Sequence, residues 1–380
     1  MKFLVIIILN FALGLILTDS FATEIKTVNK IDTQSQKRVA ILISSYAEVG
    51  KENLSYDLEE LAQAYLVLMD NGIKIDIASP KGGAVMVKNN KDDLLYIQRF
   101  KKQTPALKQL MSTIASKDLV YDNYDGLLIV GGNGAMFDLP IDVPTQKFIT
   151  HIANSNKPLA AVCHGPAALV NIKTNDNKYL VAGKRINSFT SAEDGAFGGD
   201  MIESFPFLLE DKLKQHGAIF VKNKPMLPYV SVDQNLITAQ NPGSVARAAE
   251  ALVVKLGLKV KNRQLYKDEA TLELLSQARV NGAFLIDIEL TTNPDKYDIN
   301  YLALYGFYSY GLAQSIEDKL TELEMMQTIA GHFSHPMYLS NLIKAQLDQG
   351  FKQKAKNNFA QLKATFPEHD ATKQTLMLFE

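Results

Sequence analysis

Leu159-Ala160-Ala161-Val162-Cys163-His164-Gly165-Pro166 decides how this chain is read. A short apolar run of strand type ends in a thiol, a histidine and a Gly-Pro breaker. A cysteine at a sharp strand-to-helix turn can present a reactive thiolate at the carboxyl edge of a sheet, where open α/β sheets keep their sites. Cys163 is the one cysteine in 380 residues, so it cannot form an internal disulfide. The alternative reading is a small buried hydrophobe, the usual fate of a free cysteine.

The flanking sequence repeats the same grammar. Val39–Ile43, Ile73–Ala78 and Gly126–Val130 are buried-strand runs closed by polar or glycine turns. Between the first two, Leu58, Leu61, Ala62, Tyr65, Leu68 and Met69 recur at helical spacing, and Asn71-Gly72 ends that helix. Ile219–Val221, Tyr229–Val232 and Leu236–Thr238 predict further short strands, and a helix from Ser244 to about Leu256 closes the unit. Strand–helix alternation over residues 37–258 predicts an α/β domain, a mostly parallel sheet with helices on both faces.

From 259 to 380 the pattern is helical throughout. Amphipathic stretches run over Tyr266–Ala278, Tyr301–Ala330 and Met337–Phe366. Ala355, Phe359 and Pro367 stand at the spacing of a tetratricopeptide repeat, but Ile343 occupies its glycine position and no second copy is in register. The expectation is an all-α, tetratricopeptide-like helical domain. His332 and His335 lack a third metal ligand, so no metal site is expected.

At the other end, Lys2, the apolar run Phe3–Leu17 and Ser20-Phe21-Ala22 predict a cleaved signal peptide over 1–22, followed by a flexible leader over 23–36. That implies a periplasmic or secreted protein with no stable membrane insertion after cleavage. Forty basic and 41 acidic residues give a net charge of −1 without a basic block, which argues against nucleic acid as a partner.

Three segments should meet at the carboxyl edge of a parallel sheet. Gly131-Gly132-Asn133-Gly134 follows one strand, and its glycines let backbone N–H groups approach a ligand as an oxyanion hole requires. Cys163-His164 follows the next, where a helix N-terminus would lower the thiol pKa. Adjacent side chains normally point apart, so His164 can serve Cys163 only across a sharp bend. On the first helix, Gln63 and Asp70 mark the polar direction. Glu59 lies on it and reads as a solvated acid, whereas Glu60 falls at the apolar border and could reach a crevice with a raised pKa.

Together, Glu60, Ala78-Ser79-Pro80-Lys81-Gly82-Gly83, Gly131 to Asp138, Ala161 to Pro166, Ser188-Phe189-Thr190, Pro206 to Glu210 and Leu236 to Pro242 resemble the ThiJ/PfpI superfamily, which is class I glutamine amidotransferase-like. The last two look most like its heat-inducible chaperone and glutathione-independent glyoxalase (glyoxalase III-like) branch. The resemblance covers residues 37–258 and not the helical third. It implies a flavodoxin-like three-layer sandwich with Cys163 on a nucleophile elbow, Glu60 against the thiol, His164 beside it and Asp194 orienting the histidine. Asn133 stands where many relatives carry histidine, and Ala64 where they carry proline.

The activity so implied is conversion of a small 2-oxoaldehyde, methylglyoxal or glyoxal, to the 2-hydroxy acid through a cysteine hemithioacetal. Gly131, Gly132 and Asn133 would bind substrate, and no cofactor would be needed. A cysteine peptidase or amidase, a holding chaperone and a redox-responsive binding protein are the rival readings. A homodimer, or a protein partner gripped by the helical domain, is compatible with the sequence.

Overall fold

The structure, a computed structural model, describes residues 36–87 and 91–379. The expected signal peptide and, apart from Gln36, the leader lie outside the described residues.

Among the described residues nine strands are formed: β1 (Arg38–Leu42), β2 (Lys74–Ser79), β3 (Ile114–Ala115), β4 (Gly126–Ile129), β5 (Leu159–Val162), β6 (Arg185–Ile186), β7 (Ile219–Phe220), β8 (Val230–Asp233) and β9 (Leu236–Ala239). Among the described residues, seven make one sheet in the order β3-β2-β1-β4-β5-β9-β8, and β6 pairs with β7 alone. Every pairing in the large sheet is parallel except β8 on β9. The chain runs outward from β1 to β3, then returns to lay β4 on the other side of β1. A crevice is therefore expected at the carboxyl ends of β1 and β4, where the two directions part.

The α/β part carries α1 (Leu58–Asp70), α2 (Leu95–Lys101), α3 (Thr104–Met111), α4 (Val143–Asn154), α5 (Ser191–Phe197), α6 (Leu209–Gln215) and α7 (Val245–Lys255). Strand side chains alternate between two cores, as pleated geometry demands. Val39, Ile41, Ile77, Leu128, Val130, Ala160 and Val162 pack under α1, α2 and α7. Ala40, Leu42, Leu127, Ile129, Leu159 and Ala161 pack against α4 and α6 on the opposite face. This is the three-layer sandwich of the flavodoxin type.

All-helical structure follows: α8 (Lys267–Asn281), α9 (Phe284–Thr292), α10 (Ile299–Leu312), α11 (Ile316–Ala330), α12 (Pro336–Asp348), α13 (Lys352–Thr365) and α14 (Asp370–Leu376). The stretches expected over 301–330 and 337–366 are each broken into two helices. Ser315 caps α11 by accepting the Asp318 N–H, and Gly350 turns the chain at φ +78°. Amphipathic periodicity survives such breaks, which is why a continuous stretch was the natural expectation. α12 and α13 form a hairpin around Leu339, Ile343, Ala355 and Leu362.

The helical region is docked on the sandwich. Leu272 of α8 reaches Gly243, where an added Cβ would lie 2.3 Å from Leu272 Cδ1. Lys224 pairs with Asp318, 2.6 Å away. Tyr266 sets its ring edge on Tyr96, with centroids 5.2 Å apart.

Candidate active site

Cys163 leaves β5 with φ +56°, a left-handed conformation that costs a residue with a side chain about 1–3 kcal/mol. Two hydrogen bonds hold it there: its N–H donates to Ala239 O and its C=O accepts from Phe189 N–H, both at 2.8 Å. Gly131 makes room for the bend, since a Cβ there would lie 2.7 Å from His164 N and 2.9 Å from Cys163 Cβ. The bend meets the demand raised by the sequence. His164 Nδ1 lies 3.8 Å from Cys163 Sγ, and Nε2 lies 3.0 Å from Asp194 Oδ1. With Nε2–H donating to the carboxylate, Nδ1 faces the sulfur as an acceptor.

Glu60 arrives from the other side of the crevice. Asp57 caps α1, its Oδ1 accepting the N–H of Glu59 at 2.8 Å and of Glu60 at 3.1 Å. This fixes the first turn and carries Glu60 inward, where Gly131 N–H donates to Oε2 at 2.7 Å. The ring closes because Asp57 N–H donates back to Gly131 O. Glu60 is fully buried, its Oε1 has no hydrogen-bond partner among the described residues, and its charge acts on the Cys163 thiol.

Burial pushes the Glu60 carboxyl well above its ordinary range, and the charge of Asp57 adds to the effect. Burial likewise raises the Cys163 thiol, with Glu60 as the next cause. This corrects the expectation of a thiol lowered by a helix N-terminus. The helix after Cys163 is a five-residue 3-10 turn (Gly165–Leu169), and dry surroundings with nearby acids outweigh it. Thiol and carboxyl are thus both driven toward their protonated forms.

Above them opens a cavity of about 280 Å³. Cys163, His164 and Asp194 line it together with Asn133, Phe189 and Phe197. All four residues expected to react, Cys163, His164, Glu60 and Asp194, are brought together. The glycine loop is divided. Gly131 N–H is committed to Glu60, so it is not an oxyanion donor. Among the described residues, Gly132 and His164 have N–H groups without a protein partner, and both border the cavity. Asn133 is held by its amide, which donates to Asn53 O at 3.1 Å.

Glu59 is the second correction. Its side chain is only 13% exposed, paired with Lys91 and accepting from Tyr96 O–H at 2.9 Å. The face marked polar by Gln63 is covered by α2 and by Tyr266, neither of which helical periodicity alone reveals. Lys91 and Asp57 line the cavity unforeseen. Asp57 had a signal, an Asp-x-x-Glu start to an apolar-periodic helix. Lys91 comes from a loop and had none. Burial opposes its charge, but Glu59 outweighs this and holds the ammonium above its ordinary value.

A buried thiol on a left-handed elbow, backed by His and Asp and faced by a buried Glu at a sheet switch point, defines a flavodoxin-like cysteine protein with a thiol–carboxyl pair. Residues 37–255 match the DJ-1/PfpI family, and the chain belongs to that family. A glutathione-independent glyoxalase of Schizosaccharomyces pombe is 28% identical over 233 residues, spanning 58% of this chain and 96% of its own length. Glyoxalase 3 of Candida albicans is 28% identical over 234 residues, 57% of this chain and 97% of its own. Among solved structures, the Rapid Encystment Protein 24 KDa of Francisella tularensis superposes with a TM-score of 0.54 at 29% identity, covering 58% of this chain and 99% of its own.

Proposed function

We infer that this chain is a glyoxalase-type enzyme that converts a 2-oxoaldehyde to the 2-hydroxy acid without glutathione. One observation carries the reading: a fully buried Glu60 carboxyl, held by the N–H of Gly131 against the Cys163 elbow, with its proton affinity raised by burial. A carboxylate of raised pKa is a stronger base, which is what moving a carbon-bound proton needs.

In this scheme Cys163 sulfur adds to the aldehyde carbon and its proton passes to His164 Nδ1. The new oxygen lies at the N–H groups of Gly132 and His164 and takes up that proton, giving the hemithioacetal. Glu60, as carboxylate, removes the proton from the former aldehyde carbon and returns it to the neighbouring carbonyl carbon through an enediol, while the hydroxyl proton of the hemithioacetal passes to the neighbouring oxygen. The product of that shift is a 2-hydroxy thioester. Water then releases the 2-hydroxy acid and restores the thiol, with His164, oriented by Asp194, accepting the water proton.

Turnover of methylglyoxal by the wild type, Cys163→Ser and Glu60→Gln tests this. Both variants are expected to lose activity, and equal rates in all three would overturn the reading. The Cys163–His164–Asp194 line also suits acyl transfer, so loss in Cys163→Ser with full activity in Glu60→Gln shifts the reading to an amidase. The proposal includes export through Met1–Ala22, checked by fractionation and N-terminal sequencing.

A further inference from the structure

The wall of the cavity that carries Phe197 is not built by the sandwich alone. Phe197 ends α5, the short helix that also holds Asp194, and its ring is 43% exposed. Tyr308 of α10 sets its ring against it, with centroids 5.3 Å apart and planes at 71°. Leu304, one turn earlier on α10, is similarly half exposed. The family match ends at residue 255, so Tyr308 belongs to the added helical region.

Size and chemistry bear on what that wall is for. At about 30 Å³ for each water-sized portion, methylglyoxal fills roughly 100 Å³. That is a minor share of the 280 Å³ cavity. Leu58, Ile97, Phe189 and Phe197 line it beyond the reacting groups, alongside the charged Glu59 and Lys91. An apolar substituent on the ketone carbon would occupy that space and shed water against the rings.

We propose that the helical region completes the outer wall of the substrate cavity through Tyr308 packed on Phe197, and that this wall selects 2-oxoaldehydes bearing an aryl or bulky alkyl group over glyoxal. The proposal rests on the glyoxalase reading for its chemistry, while the wall itself is testable without it. Tyr308 acts through Phe197 and is a positioning residue.

The experiment measures kcat and KM for phenylglyoxal and glyoxal in the full chain, in Phe197→Ala, Tyr308→Ala and Tyr308→Phe. The wild type is expected to prefer phenylglyoxal by about tenfold or more in kcat/KM, the scale of an apolar group seated in a fitting pocket. Tyr308→Ala and Phe197→Ala are expected to erase most of that preference through KM for phenylglyoxal, and Tyr308→Phe to keep it. An unchanged preference in Tyr308→Ala overturns the proposal. Alkylation of Cys163 by N-benzylmaleimide against N-methylmaleimide, followed by mass spectrometry, reads the same wall without turnover. If no aldehyde is converted the glyoxalase reading fails, and the wall then stands or falls on whether Tyr308→Ala lowers the benzyl-to-methyl ratio.

Discussion

The sandwich and the helical region use their charged groups in opposite ways. In the sandwich, buried Glu60 and Cys163 lie close to half-buried Asp57 with too few cations to neutralise them, and desolvation raises all three pKa values. In the helical region a buried charge is met by its counterion. Arg279 Nε donates to Glu322 at 2.6 Å, its other end pairs with Asp318, and Tyr305 O–H donates to Glu322 at 2.8 Å. No cluster of metal-ligating side chains occurs among the described residues. Frustrated groups store reactivity and satisfied groups store stability, so substitutions in the two regions should be read by different instruments.

The largest effect is expected in the sandwich. Cys163→Ser and Glu60→Gln should each lower kcat for an accepted 2-oxoaldehyde by about 10³-fold or more, with folding retained by circular dichroism. Asp194→Asn, which leaves His164 without an anionic partner, should cost about 10²-fold. A separate readout isolates the frustration. Iodoacetamide labelling of Cys163 should rise only above the pH of an ordinary thiol, because burial and Glu60 oppose the thiolate. In Glu60→Gln the rise should move to lower pH, since the opposing charge is gone. No movement would mean that burial alone sets the thiol.

In the helical region the corresponding change is Glu322→Ala. Glu322 is 2% exposed, and its removal leaves Arg279 and Tyr305 facing a void. Breaking a buried pair from one side costs about 3–5 kcal/mol, to be measured by urea unfolding. Below the unfolding transition, Cys163 labelling should stay within about twofold of wild type, inside the scatter expected for distant, independent sites. A large change in labelling would show that the two regions are one functional unit beyond the Tyr308 contact.

Legibility follows the same division. The apolar runs of β1, β2, β4, β5 and β9 are readable as strands, and parallel topology brings their ends together, while the elbow and the placing of Glu60 against Cys163 come from the family resemblance. The residue-level electrostatics were not. Glu59 reads as solvated on a helical wheel, and only the later arrival of α2, Tyr96 and Lys91 buries it. Gly131 reads as an oxyanion donor, and only the cap at Asp57 shows that Glu60 takes its N–H. The turns at Ser315 and Gly350 carry ordinary breaker residues, but an unbroken apolar period hides them. Tyr308 carries no signal at all, since nothing in a helix announces which neighbour its exposed ring will meet.

Asp138 offers the smallest test, and it lies in the sandwich away from the thiol. Its carboxyl is buried below the start of the loop after β1, accepting Ser45 N–H at 2.8 Å. Burial raises it to about 6 against the pull of Ser45 and Ser44. The unfolded chain releases this proton near the ordinary value of 3.8, whereas the folded chain holds it to about 6. Between those values the folded state binds more protons, so its advantage is full below about pH 4 and is lost as pH rises through 6. Two pH units correspond to on the order of 2–3 kcal/mol. Asp138→Asn keeps an oxygen for Ser45 N–H and has nothing to titrate. The stability of the variant relative to wild type should therefore rise by about that amount from pH 4 to pH 7 in urea unfolding. The other raised acids, Asp57, Glu60 and Glu193, titrate in both proteins and drop out of the difference, unless Asp138 is coupled to them. A flat difference across that range would mean that the Asp138 carboxyl reaches water and that the buried acids near the thiol are the sandwich's only frustrated ones.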